Sequence, residues 1–236
     1  MKKGVVLKNT EGAEKLGSLN IAWYYTWNTN PIQGTDLPFV PMVWGKNSSV
    51  PKDPQDTILI LNEPDRPDQS NVAVDDAVTI WNSVKATRKG SPATAANPLK
   101  SPWFAEFMTR ADPDFLCIHW YGPPKPESLL NLVDSLHARY SRPIWITEFA
   151  VAQWDTTKPM YTIDQVSNFM ETVIPELEKR AHVERYAWKT RSTTDPIMGT
   201  SALFDAEGNL TPIGKLYSTL YFLDQSPEPN YNQRYY

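Results

Sequence analysis

Only one cysteine, Cys117, occurs in the 236 residues, so no internal disulfide can form and stability has to come from packing. It sits in the apolar run Phe115-Leu116-Cys117-Ile118. That setting disfavours the thiolate and marks a packed core thiol rather than a nucleophile. Long basic runs are absent and the formal net charge is −4, which argues against nucleic acid as the main partner. No apolar stretch is long enough to cross a bilayer, so no membrane partner is expected. Met1-Lys2-Lys3 leads into charged and small residues, not into the apolar core of a signal peptide. The three histidines show no ligand spacing, and no metal is expected. No composition shift or Gly/Ser-rich linker divides the chain, which reads as a single domain over 1–236, its core covering about 4–223 and 224–236 forming a surface tail.

Aromatic residues and proline are plentiful. There are 9 Trp and 11 Tyr, several of them just beyond β-rich runs, where they can form a sugar-binding face. The 21 Pro exceed the average usage of about 5% and help to punctuate the chain into short elements.

Short β-rich runs alternate with helical patterns, the arrangement that gives parallel strands joined by crossover helices. Eight strands are expected at Gly4–Leu7, Asn20–Trp27, Phe39–Trp44, Thr57–Glu63, Ala93–Ala96, Phe115–Tyr121, Pro143–Phe149 and Glu184–Lys189. Eight is the number that closes a (β/α)₈ TIM barrel in the α/β class. Helix starts are marked by Ser101-Pro102, by the capping box Thr162–Gln165 and by Thr211-Pro212. Apolar stripes at Val74, Val78, Trp81 and Val84 (ended near Gly90), and at Leu129, Val133, Leu136 and Tyr140, indicate two more. Asn28–Pro38 and Gly45–Asp56 are rich in turn formers and lack helical period. The barrel is therefore expected to be compact, with helices missing after strands two and three.

Two of these strands run out at a glutamate. Asn62-Glu63-Pro64-Asp65 closes the fourth and Glu148 closes the seventh. They stand three predicted units apart at about 28 residues per unit, near the ~31 of a 250-residue barrel. Barrel active sites lie at the C-terminal strand ends, so both carboxyl groups would enter one mouth. Paired carboxyl groups are what glycosidic hydrolysis needs: one protonates the leaving oxygen, the other attacks or stabilises the anomeric carbon.

At these residues the sequence resembles the clan of retaining barrel glycosidases that carry an acid/base after strand four and a nucleophile after strand seven. More narrowly, Phe39–Gly45, Leu61–Asp65, His119-Trp120-Tyr121-Gly122 and Trp145–Phe149 resemble glycoside hydrolase family 128, endo-acting β-1,3-glucanases on a compact barrel. The resemblance runs roughly from residue 4 to 223. It implies that Glu63 is the acid/base and Glu148 the nucleophile. It further implies that Asn62 bonds the sugar hydroxyl beside the reacting carbon, that Tyr121 donates to Glu148, and that Trp188 floors the cleavage point. A non-proline cis bond, common in the clan, would fall at Trp188-Lys189. The resemblance suggests an extracellular role and needs no cofactor.

Other site candidates come from the residues themselves. Strand alternation sets Cys117, His119 and Tyr121 on one face, so His119 lies one layer below Tyr121 and either orients a glutamate or is a satisfied core histidine. Trp27 and Trp44 at strand ends, and Trp154 in the loop after Glu148, are candidates for sugar stacking. Asp65 is expected to anchor its loop; Asp155, Asp195, Lys189 and Arg191 sit in or beside mouth loops. The resulting expectation is a monomeric, retaining endo-β-1,3-glucanase acting on the polysaccharide or its oligosaccharides. The rivals are a β-1,4-glucanase or mannanase of the same clan, and a non-catalytic glucan-binding barrel.

Overall fold

The computed structural model of the protein describes residues 2–220; the tail expected at 224–236 lies outside them. Among the described residues, eight parallel strands occur in the order β1 (Lys3–Val6), β2 (Trp23–Tyr25), β3 (Met42–Val43), β4 (Gln55–Ile60), β5 (Ala86–Lys89), β6 (Leu116–Gly122), β7 (Ile144–Val151) and β8 (Val183–Lys189). They form two arcs, β2-β1-β8-β7-β6 and β3-β4-β5. Isolated parallel bridges close both seams, Tyr24 to Phe39 and Gly90 to Phe115. The result is a (β/α)₈ barrel.

The outer helices are α1 (Ala13–Ser18), α2 (Val74–Ser83), α3 (Pro102–Arg110), α4 (Pro126–Tyr140), α5 (Ile163–Lys179) and α6 (Pro212–Thr219). No helix follows β2 or β3 among the described residues, as the turn-rich composition there predicts. The three start signals read from sequence all act. Ser101 Oγ accepts from Phe104 N–H, Thr162 and Gln165 form a reciprocal capping box, and Thr211 Oγ1 accepts from Gly214 N–H.

Strand alternation divides the apolar residues into two layers. Val6, Trp23, Tyr25, Met42, Leu59, Phe115, Cys117, Trp145 and Ala187 fill the barrel interior. Val5, Ile118, Trp120, Ile146, Phe149, Tyr186 and Trp188 face the helices. Inside, Trp145 stacks on Phe115 at 4.1 Å between centroids and packs against Trp23 at 5.3 Å. Burial raises the Cys117 thiol pKa well above its ordinary value, in keeping with a core role.

Three expectations need correction. The fifth strand is Ala86–Lys89, not Ala93–Ala96. Its Arg88 and Lys89 hid it, because their charged ends leave the sheet: Arg88 pairs with Glu184 at 2.9 Å, and Lys89 donates to the Trp81 carbonyl. Helix α2 ends at Ser83 rather than near Gly90, since Val84 is already extended. No cis peptide bond occurs among the described residues, so Trp188-Lys189 is trans.

Gly90 makes the β5–β6 seam feasible. A Cβ there would lie 2.5 Å from Phe115 and 2.6 Å from Cys117 Sγ, both fixed in the packed interior. Gly90→Ala is expected to lower unfolding free energy by about 1–3 kcal/mol through overpacking, measured as a reduced denaturant midpoint. An unchanged midpoint would mean that the seam has slack.

Candidate active site

The seventh strand is where the barrel departs from simple alternation. Ile118 pairs with Ile146, but His119 pairs with Glu148, so Thr147 is an extra residue in β7. This bulge shifts the inward phase by one. Trp145 and Glu148 both point into the barrel although three positions separate them, while Ile146 and Phe149 face the helices. In regular alternation, with no bulge, Glu148 would face the helix layer.

Strands two and four end in a different device. Trp27, Leu61 and Glu63 have left-handed backbone, with φ of 59°, 64° and 45°. For non-glycine residues such a conformation costs of order 1–3 kcal/mol and tends to collect at functional sites. Here it turns Trp27 and Glu63 into the mouth, with Asn62 held between two kinked neighbours.

Glu148 is 5% exposed and surrounded by donors. Trp27 Nε1 donates to its Oε1 at 2.6 Å, and the Tyr25 hydroxyl lies 3.2 Å from the same oxygen. Tyr121 donates its phenol to Oε2. His119 stands between the two glutamates, Nδ1 at 2.9 Å from Glu63 Oε1 and Nε2 at 3.6 Å from Glu148 Oε1. Burial pushes the Glu148 carboxyl up. The charges of His119 and Lys189 and the Tyr121 and Trp27 hydrogen bonds outweigh it, bringing the pKa down to about 2. The ledger for His119 is complementary: burial disfavours its charged form, and Glu148 and Glu63 overcome this to raise its pKa. Both phenols are held neutral, Tyr121 and Tyr25 being raised well above the usual value by burial and by Glu148.

These groups open onto a cavity of about 710 Å³, whose wall includes Asn62, Glu63, His119, Tyr121 and Glu148, with Trp27, Trp44 and Trp154 around them. A second cavity of about 580 Å³ adjoins it, sharing Lys8, Trp27, Lys189 and Arg191. Trp154 is 51% exposed, held by its N–H on the Tyr121 carbonyl. Asn62 donates to Gln69, and its buried Oδ1 has no partner among the described residues.

The expected site residues thus converge, with one exception. Trp188 does not line the mouth. It is fully buried between barrel and helices, against Phe149 and Phe169, with its N–H on the Ser201 carbonyl. The reason is register: Trp188 pairs with the outward-facing Val5, while Lys189 pairs with the inward-facing Val6. It therefore cannot floor a sugar. Trp27 has a role that stacking did not anticipate, since its ring edge serves Glu148. Tyr25 and Lys189 also contact the site. The inward alternation of Trp23, Tyr25 and Trp27 was a signal for the first, and that of Ala187 and Lys189 for the second. Asp65 anchors its loop by accepting from Ala95 and Ala96 N–H. Asp155 and Asp195 likewise bind local backbone.

A family model described as glycosyl hydrolase catalytic core matches residues 4–217. An endo-β-1,3-glucanase of family 128, subgroup I, from Amycolatopsis mediterranei, crystallised with laminaritriose and laminaribiose, is 31% identical. That alignment covers 93% of this chain and 99% of the other, with a TM-score of 0.79. The chain belongs to glycoside hydrolase family 128. Its fold is shared by an exo-β-1,3-glucanase of Cryptococcus neoformans, 21% identical over 92% of this chain and 98% of the other with a TM-score of 0.77. An oligosaccharide-binding protein of Trichoderma gamsii has it too, at 22% identity over 93% of each chain with a TM-score of 0.76. Alkali-sensitive linkage protein 1 of Schizosaccharomyces pombe is 33% identical over 133 residues, 54% of this chain. This family 128 chain spans about a quarter of that relative's length, the match covering 24% of it.

The Glu148 environment has a thermodynamic signature. An unfolded glutamate titrates near ~4.3, the folded one near about 2. Stabilisation from its ionised form is complete above the first value and is lost as pH falls toward the second. Wild type is expected to lose up to about 3 kcal/mol relative to Glu148→Gln between about pH 5 and pH 2, read as a divergence of urea midpoints. Parallel pH dependence of the two proteins would contradict the assigned environment.

Proposed function

We propose that the protein is a retaining endo-β-1,3-glucanase. The observation that carries the proposal is Glu148, buried yet ionised under Trp27, Tyr25 and Tyr121, with Glu63 joined to it through His119. An ionised, oriented carboxylate suits nucleophilic attack, and a second carboxyl group in the same cavity suits proton transfer.

In the first step a Glu148 oxygen bonds to the anomeric carbon while the glycosidic C–O bond breaks. Glu63 gives its proton to the departing oxygen. In the second step Glu63 takes a proton from water, the water oxygen bonds to the anomeric carbon, and Glu148 leaves as carboxylate. His119, standing between the two, faces the carboxylate of Glu148 and holds Glu63 in place. The free Oδ1 of Asn62 offers an acceptor for a sugar hydroxyl. Exposed Trp154 and half-buried Trp44 offer ring faces to apolar sugar surfaces. The two adjoining cavities favour binding along a chain, and hence internal cleavage. The β-1,3 linkage is carried over from the Amycolatopsis enzyme and its bound laminari-oligosaccharides. Retention of both carboxyl groups with their donors favours catalysis over binding alone.

The test is chromatography of products from soluble β-1,3-glucan, beside β-1,4-glucan and mannan. Short oligosaccharides from the first alone, reduced at least ~10⁴-fold in Glu148→Ala, are expected. Products from β-1,4-glucan or mannan instead would move the assignment to those linkages, and binding without products would make it a glucan-binding barrel.

A further inference from the structure

Lys189 is the inward-facing end of β8, and its ammonium meets no hydrogen-bond acceptor or ion-pair partner among the described residues. It lies over the face of the Trp27 indole, 3.7 Å from the ring centroid. The edge of that indole donates the short N–H bond, 2.6 Å, to Glu148 Oε1. The Tyr25 ring packs edge-on against Trp27 at 5.9 Å and limits its rotation.

A cation on an indole face draws electron density from the ring, which makes the N–H at its edge a stronger donor to a carboxylate. We propose that Lys189 is a positioning residue for Glu148 that acts through Trp27: ammonium on the ring face, N–H at the ring edge, carboxylate beyond it. This rests on the reading of Glu148 as the nucleophile. It also accounts for a lysine placed in the mouth without a salt bridge, at the junction of the two cavities. The charge is useful there only if it is felt by the carboxylate, and the indole fixes where it sits.

Other groups act on the same centre. From β6 come His119 and Tyr121, from β2 Tyr25, from the end of β4 Glu63, and beyond β8 Arg191. Lys8 reaches Lys189 from beyond β1. Burial lowers the Lys189 pKa while Glu148 and Glu63 draw it back up, and Arg191 and Lys8 oppose them. What separates the indole-mediated effect from this general field is coupling. If Lys189 acts only through space, removing it and removing the indole N–H have independent effects. If it acts through the ring, removing Lys189 adds little once the indole is gone.

The first readout is the indole ¹H–¹⁵N spectrum of the substrate-free protein, with the Trp27 resonance assigned by its loss in Trp27→Phe. In Lys189→Met the Trp27 N–H proton should move upfield, and Lys189→Arg, which keeps a cation over the ring, should restore most of the shift. The second is the acidic limb of kcat/KM on β-1,3-glucan. Lys189→Met and Trp27→Phe should each raise its midpoint, Trp27→Phe by about one pH unit, ~10-fold in ionisation equilibrium, and the double variant by little more than Trp27→Phe alone. An unmoved Trp27 resonance in Lys189→Met, or additive shifts in the double variant, would overturn the proposal. The resonance needs no turnover. A wild-type protein inactive on every glucan, with the Trp27 shift present, would therefore remove the hydrolase reading and uphold the Lys189–Trp27 interaction.

Discussion

A carboxylate taken out of water has to be met by donors and opposite charge, or it takes up a proton instead. Glu148 is that carboxylate here, and much of the mouth follows from keeping it ionised. Two phenols, one indole N–H, one imidazole and one ammonium converge on it from β2, β6 and β8, the elements that neighbour β7 or close the ring around it. Each of these donors is itself constrained. Tyr25 is bonded to the Thr147 carbonyl at 3.1 Å, Trp27 is covered by Lys189, and His119 is shared with Glu63. A loss at any one of them is felt by the others through the same charge.

The barrel supplies this arrangement with little material. Interior packing by Trp23, Trp145 and Phe115 fills the lower part of the ring, so that the upper part carries polar side chains on a rigid base. Helices are dispensed with where loops suffice, after β2 and β3. Those loops frame the side of the mouth that holds Trp27 and Trp44. Related folds range from endo- and exo-glucanases to an oligosaccharide-binding protein. The shared barrel therefore does not by itself fix activity; what favours hydrolysis is the carboxyl pair and its donors.

Much of this was legible in the sequence because it depends on short motifs and spacing. Seven of the eight strands, two missing helices, three capped helix starts and the convergence of Glu63 and Glu148 all follow from local patterns. What escaped has specific physical causes. Simple period-two reading of β7 would put Glu148 in phase with Ile146; only the extra Thr147 brings it inward, and nothing in Ile-Thr-Glu-Phe announces a bulge. The left-handed turns at Trp27, Leu61 and Glu63 carry no glycine to mark them. Strand β5 is short and carries Arg88 and Lys89, so its sheet character is hidden by side chains that reach away. Trp188 was misplaced by resemblance, although its alternation with Ala187 and Lys189 pointed outward all along.

The central claim is that Glu148 forms a bond to sugar. The direct measurement is mass spectrometry of the protein incubated with a 2-deoxy-2-fluoro laminaribioside bearing a good leaving group, which slows release of a glycosyl-enzyme. The account predicts one added fluorolaminaribiosyl group (two sugar rings) on the intact protein, mapped by digestion to the peptide containing Glu148 and absent in Glu148→Gln. An adduct on Glu63, or hydrolysis of β-1,3-glucan that proceeds with inversion and no adduct, would contradict it.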